Sequence, residues 1–160
     1  MTESPPSSQT RSWRPLRVML AVTLVALTLQ VFFGLYVGGE ANYPVTPANI
    51  GSIGGLLSAM WSAAGPAIFL HAFWGVLVLL MGIGTAVIAR RFQNARVTIS
   101  SFAGLLSLLI GLLGGLVFAA SDFASGAGIL FMVIGAIAAY AFLLLTFYFT
   151  RRVPASGPLP

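Results

Sequence analysis

Four long stretches of this chain contain no Asp, Glu, Lys or Arg, and this limits its fold more than any other feature. They run over residues 18–37, 66–89, 99–120 and 128–149. A helix needs about 20 apolar residues to cross a hydrocarbon core of roughly 30 Å, and each stretch is long enough. Backbone groups in lipid have no water to bond, so each stretch must close its own hydrogen bonds as an α-helix. Pro66 suits the first turn of the second span, where its missing N–H leaves nothing unpaired. The expected fold is all-α: a polytopic membrane protein whose residues 17–150 form a four-transmembrane-helix bundle in a lipid bilayer.

The charged residues predict an orientation. All eight basic residues are arginines. Arg11, Arg14 and Arg17 precede the first span, Arg90, Arg91 and Arg96 lie between the second and third, and Arg151 and Arg152 follow the fourth. Four spans put these three regions on one face. The opposite face receives residues 38–65 and 121–127, with Glu40, Asp122 and no basic residue. Arginines gather on the cytoplasmic side of multi-pass proteins. The expectation is a multi-pass protein of the cell membrane with both chain ends cytoplasmic. Residues 1–16 and 151–160, rich in Ser and Pro, are expected to be a disordered N-terminus and tail.

Composition removes several function classes. Charged residues are 7% of the chain against about 25% in soluble domains. The net charge of +5 does not predict nucleic-acid binding, because no basic stretch is long enough to follow a phosphate backbone. With no Cys there is no disulfide, thiolate nucleophile or cysteine metal site, and one His with three acids leaves little for acid–base chemistry. The one sizeable loop, 38–65, holds an apolar piece from Ile50 to Trp61 that is too short to span. It is expected to lie in the interface with Trp61 at headgroup level.

The chain also repeats itself. Shifted by 61 residues, the second span lies over the fourth: His71 over Met132, Gly75 over Ala136, Arg90–Arg91 over Arg151–Arg152. Shifted by 80, the first lies over the third, with Gly34 over Gly114. This predicts two helical hairpins related by a pseudo-twofold axis along the membrane normal. Small residues predict close helix approach at Gly34/Gly38, at Gly111/Gly115 and along His71, Gly75, Val78 and Gly82.

Three residues inside the spans carry chemistry. His71 is an ionisable group within a span, a functional-site candidate by default. Its other reading is a neutral imidazole bonded to a helix carbonyl or to a Ser or Gln. His71 and Met132 lie at equal depth, and a His nitrogen with a Met thioether can hold a heme iron from both sides. Met132 is otherwise a gap-filling core residue. Gln30 needs a partner in the bundle and reads as a bond between helices. The aromatic-rich end, Tyr140 to Phe149, reads as lipid-facing surface.

The run Leu29-Gln30-Val31-Phe32-Phe33-Gly34-Leu35-Tyr36-Val37, a Pro-containing loop, and His71 in the next helix together resemble one half of heme A synthase. The resemblance covers roughly residues 18–150 as topology and pattern. It implies a half-size, four-helix relative that binds heme b, with His71 as iron ligand and Gln30 and Gly34 in the first-helix pattern. The chain departs from the family in four places. Met132 stands where the fourth-helix His belongs, Ile68 where the catalytic half carries Glu, and Ala72 where Arg often follows the His; the outer-loop Cys pair is missing. The resemblance therefore implies cofactor handling or electron transfer without complete synthase activity. The alternative function is a non-catalytic subunit or assembly factor of a larger membrane complex, alone or as a homo-oligomer.

Overall fold

A computed structural model describes residues 12–40, 65–121 and 125–152, with single positions at 52, 54, 55, 58 and 61. The interfacial segment expected at 50–61 lies largely outside the described residues, as do the N-terminus before residue 12, the tail after 152, Asp122 and the Glu40 side chain. The described residues form four helices: α1 (Arg14–Glu40), α2 (Pro66–Arg90), α3 (Ala95–Ala120) and α4 (Gly126–Arg152). All four are long and apolar enough to cross a membrane. At 25–27 residues and 1.5 Å per residue each measures about 40 Å, enough to reach both interfaces. Only 22–28% of each span is buried within the bundle, so most of its apolar surface is left for lipid. The chain is an integral membrane protein.

The helices begin and end beyond the expected limits. Residues 14–16, expected to be disordered, form the first turn of α1. Pro15 costs no backbone bond there, the Ser12 hydroxyl accepts the Arg14 N–H, and Trp13 stacks on Phe92 with ring centroids 4.1 Å apart. Long arginine side chains can belong to a terminal turn and still reach water. The α2–α3 connection is tight: Gln93 takes a left-handed φ of 52°, and Asn94 caps α3 by accepting the Val97 N–H at 3.2 Å.

Contacts run α1–α2, α2–α3, α3–α4 and α4–α1, which closes the helices into a ring. Trp13 meets Phe92, and the Arg17 guanidinium donates to the Thr150 carbonyl. The start of α1, the α2–α3 turn and the end of α4 therefore share one end of the bundle, and every arginine from Arg14 onward lies there.

The two hairpins pack by different means. In α3–α4 the backbones touch. A Cβ built on Gly135 would stand 2.5 Å from the Gly111 nitrogen, one on Gly114 2.7 Å from the Met132 nitrogen, and one on Gly128 2.7 Å from the Phe118 nitrogen. Such a seam exchanges side-chain volume for close backbone dispersion contacts. It uses Gly111 with Gly114; Gly115 meets only the Met132 sulfur, at 3.6 Å. The Gly34/Gly38 pair is not a seam either, since no described residue lies within 4 Å of a Cβ at Gly38. In α1–α2 side chains separate the backbones: Thr23 and Thr85 share a hydroxyl bond of 3.3 Å, and the Trp74 indole donates to the Ala26 carbonyl at 3.0 Å.

The repeat is visible in these contacts. Gly34 faces His71 across α1–α2, and their counterparts Gly114 and Met132 face each other across α3–α4. Thr85 and Thr146, 61 positions apart, are both fully buried and both bond across their own hairpin, Thr146 donating to Ser100 at 2.8 Å. Trp74 stands in α2 where Gly135 stands in α4. One indole in place of a hydrogen explains why α1–α2 does not close like its counterpart.

Candidate functional site

The geometry that sets the site begins at Gly65, whose φ of 55° turns the chain into α2, with Pro66 at its first turn. His71 follows five residues later, with Gly75 one turn beyond it. On α1, Gln30 and Gly34 have the same spacing. Because the helices run antiparallel, each polar side chain lies against the other helix's glycine. A Cβ on Gly34 would stand 3.0 Å from His71 Cε1, and one on Gly75 would stand 3.0 Å from Gln30 Nε2. The two glycines create the volume, and the imidazole and the amide fill it.

Gln30 Nε2 and His71 Nε2 lie 3.3 Å apart. Among the described residues, Gln30 Oε1 and His71 Nδ1 are buried without a hydrogen-bond partner. If the amide donates to Nε2, the imidazole proton sits on Nδ1 and has no acceptor. A half-turn of the amide lets Nε2–H donate to Oε1 and leaves Nδ1 as a bare acceptor. In either arrangement one ring nitrogen and one amide atom remain uncommitted. A buried polar atom without a partner costs about 1–3 kcal/mol, so a pair serving only as a bond between helices would be expected to be better satisfied. One turn further along, Trp74 fixes the α1–α2 separation through its bond to Ala26. Its ring meets Phe33 edge-on at 6.5 Å.

The structure brings Gln30 and His71 together. Met132 is placed elsewhere: its backbone and its sulfur are in contact with α3, at Gly114 and Gly115. Ile68 is buried, three residues before His71. Tyr140, read from the sequence as lipid-facing surface, instead turns half-buried into the bundle and bonds the Thr28 hydroxyl across α1–α4. Leu143 and Thr146 of the same run are buried too, as is Thr150 just beyond it. The two threonines four residues apart were the available signal, since Thr146 and Thr150 share one face. Trp74 was missed altogether, although the 61-residue shift places it opposite a glycine.

Among the described residues no group of three or more His, Cys, Asp or Glu is placed to hold a metal ion. For a heme, His71 is the one of the expected donors that could be offered to the iron. His71 has a nitrogen without a partner, and Met132 is taken up by the α3–α4 seam. No protein-family profile, no curated protein and no solved structure matches the chain.

Proposed function

We propose that this chain is a small heme-handling membrane protein, a half-size relative of heme A synthase, in which the His71 imidazole would hold the heme. The single observation that carries this reading is the pair of buried, unpartnered atoms, His71 Nδ1 and Gln30 Oε1. They belong to two bonded side chains within the spans, where an unmet polar group calls for a further partner. Heme b is the cofactor the resemblance implies, and when bound it would supply one-electron redox chemistry. Gln30 selects the imidazole tautomer and holds the ring plane, as partners of metal-bound histidines do. Gly34 lets the Cε1 edge of the ring come close to α1, and Trp74 keeps the hairpin from closing onto it. Ile68 stands where the catalytic half of the family carries Glu, so the proposed role is binding or electron transfer.

The proposed orientation puts both chain ends in the cytoplasm of a cell-membrane protein, which sets the Gln30–His71 pair in the outer half of the bilayer. Its support is the gathering of arginines at one end of the bundle.

The visible spectrum tests the heme reading. Protein purified in detergent after growth with added heme is expected to show a Soret band that His71→Ala abolishes and Gln30→Leu shifts. No band, or an unchanged band in His71→Ala, overturns it. The chain would then read as a non-catalytic subunit of a larger assembly, to be sought on native gels after mild solubilisation.

A further inference from the structure

The arginine end of the bundle carries a feature the heme reading does not use. A shallow, open groove of about 510 Å³ runs along α1 beside Ile88 of α2. Its head is Ser12 and Arg14; its walls are Val18, Val22 and Ile88; its floor is Met19. Arg14, Val18 and Val22 are spaced one turn apart on one face of α1, so the groove runs about 12 Å down the helix from its cationic end. Gly84 lies under the floor: a Cβ there would stand 2.8 Å from the Met19 methyl, so Met19 rests close against α2.

The two ends of the groove differ in chemistry. The walls are aliphatic and open to lipid. The head has an exposed guanidinium, and the described residues at this end of the bundle include no acidic side chain. Arg17, one turn along, does not compete for a ligand in this groove, because it reaches away to the Thr150 carbonyl on α4. The positive end of the α1 helix dipole points to the same place as Arg14.

We infer that this groove holds an anionic phospholipid, its phosphate on Arg14 and one acyl chain along Val18 and Val22. A zwitterionic lipid offers the same chain, but its own cation offsets the phosphate. A soluble phosphate offers the charge and leaves the aliphatic walls uncovered.

Native mass spectrometry of the full chain tests this, using detergent-purified protein mixed with equal amounts of palmitoyl-oleoyl phosphatidylglycerol and phosphatidylcholine. The expected result is one retained lipid, with phosphatidylglycerol favoured. Arg14→Gln should lower that preference about fivefold, the share one arginine contributes near an anionic surface. Val22→Trp should fill the groove and reduce retention of both lipids while keeping the helical circular dichroism of the parent. Arg152→Gln, at the same end but outside the groove, should leave the preference unchanged. Equal retention of the two lipids overturns the proposal. So does a loss in Arg152→Gln equal to that in Arg14→Gln, which would make the preference a property of the whole cationic end.

Discussion

Replacing Gly135 by Ala gives the sharpest test of how the bundle is held. Alanine is the better helix former by about 1 kcal/mol, so propensity alone predicts stabilisation. The seam predicts the opposite. The added methyl would stand 2.5 Å from the Gly111 nitrogen, 2.7 Å from its Cα and 2.8 Å from the Ser107 carbonyl oxygen. All three are backbone atoms and none can rotate away. Ordinary contact begins at 3.4 Å, so α3 and α4 must part by nearly an ångström at this point. A gap of 0.5–1 Å forfeits roughly a quarter to a half of each dispersion well along the seam. It also strains the Thr146–Ser100 bond further along the same interface. Overpacking with side-chain neighbours costs about 1–3 kcal/mol, and a rigid backbone neighbour places this case near the upper end. The net expectation is a loss of about 2 kcal/mol, read as a lower melting midpoint by circular dichroism in detergent. Gly38→Ala is the control, since no described residue lies within 4 Å of that site and propensity should act unopposed. If Gly135→Ala melts at or above the Gly38→Ala midpoint, the backbone-contact account of α3–α4 is wrong.

Other consequences can be checked with the same melting assay. Thr85→Val and Thr146→Val each remove one buried bond across a hairpin, and each should cost about 0.6–1.5 kcal/mol. Gln93→Gly should stabilise the chain by up to about 1 kcal/mol, because a left-handed φ of 52° strains any residue with a Cβ. Trp74→Phe keeps the bulk that props α1 from α2 and deletes the N–H bond to Ala26, for a loss of about 1 kcal/mol. The chain has no Cys, so a single Gln93→Cys reports the side of the arginine end directly. The proposed orientation predicts no labelling by an impermeant maleimide in intact cells and full labelling after lysis.

The spans could be read from sequence because lipid allows the backbone one solution over a run of 20 apolar residues, as in 99–120. Their ends were harder to read, because apolarity stops at the arginines while the helix does not. Arg14 and Arg96 sit inside terminal turns, and only Pro15 and Asn94 hinted at the true starts. The Gln30–His71 encounter was partly legible. Each residue stood out as polar within a span, and Gln was among the partners considered for His71. What stayed hidden was the reciprocal fit, in which each side chain fills the space of the opposing glycine, since that depends on the antiparallel register of two helices separated by a long loop. Met132 matched His71 in depth, but sequence depth carries no information about rotation around the axis. Its contacts with α3 come from the glycines around it, which draw α4 in until little but backbone separates the two helices.

The single indole at position 74 has a consequence for how the protein can change over time. Along α3–α4 almost any new atom meets main chain, so that half can vary little without the helices separating. Along α1–α2 the neighbours of a new atom are side chains, which can swing aside or be exchanged in turn. The scaffold thus pairs a more fixed frame on one side with a more adjustable compartment on the other, beside Trp74.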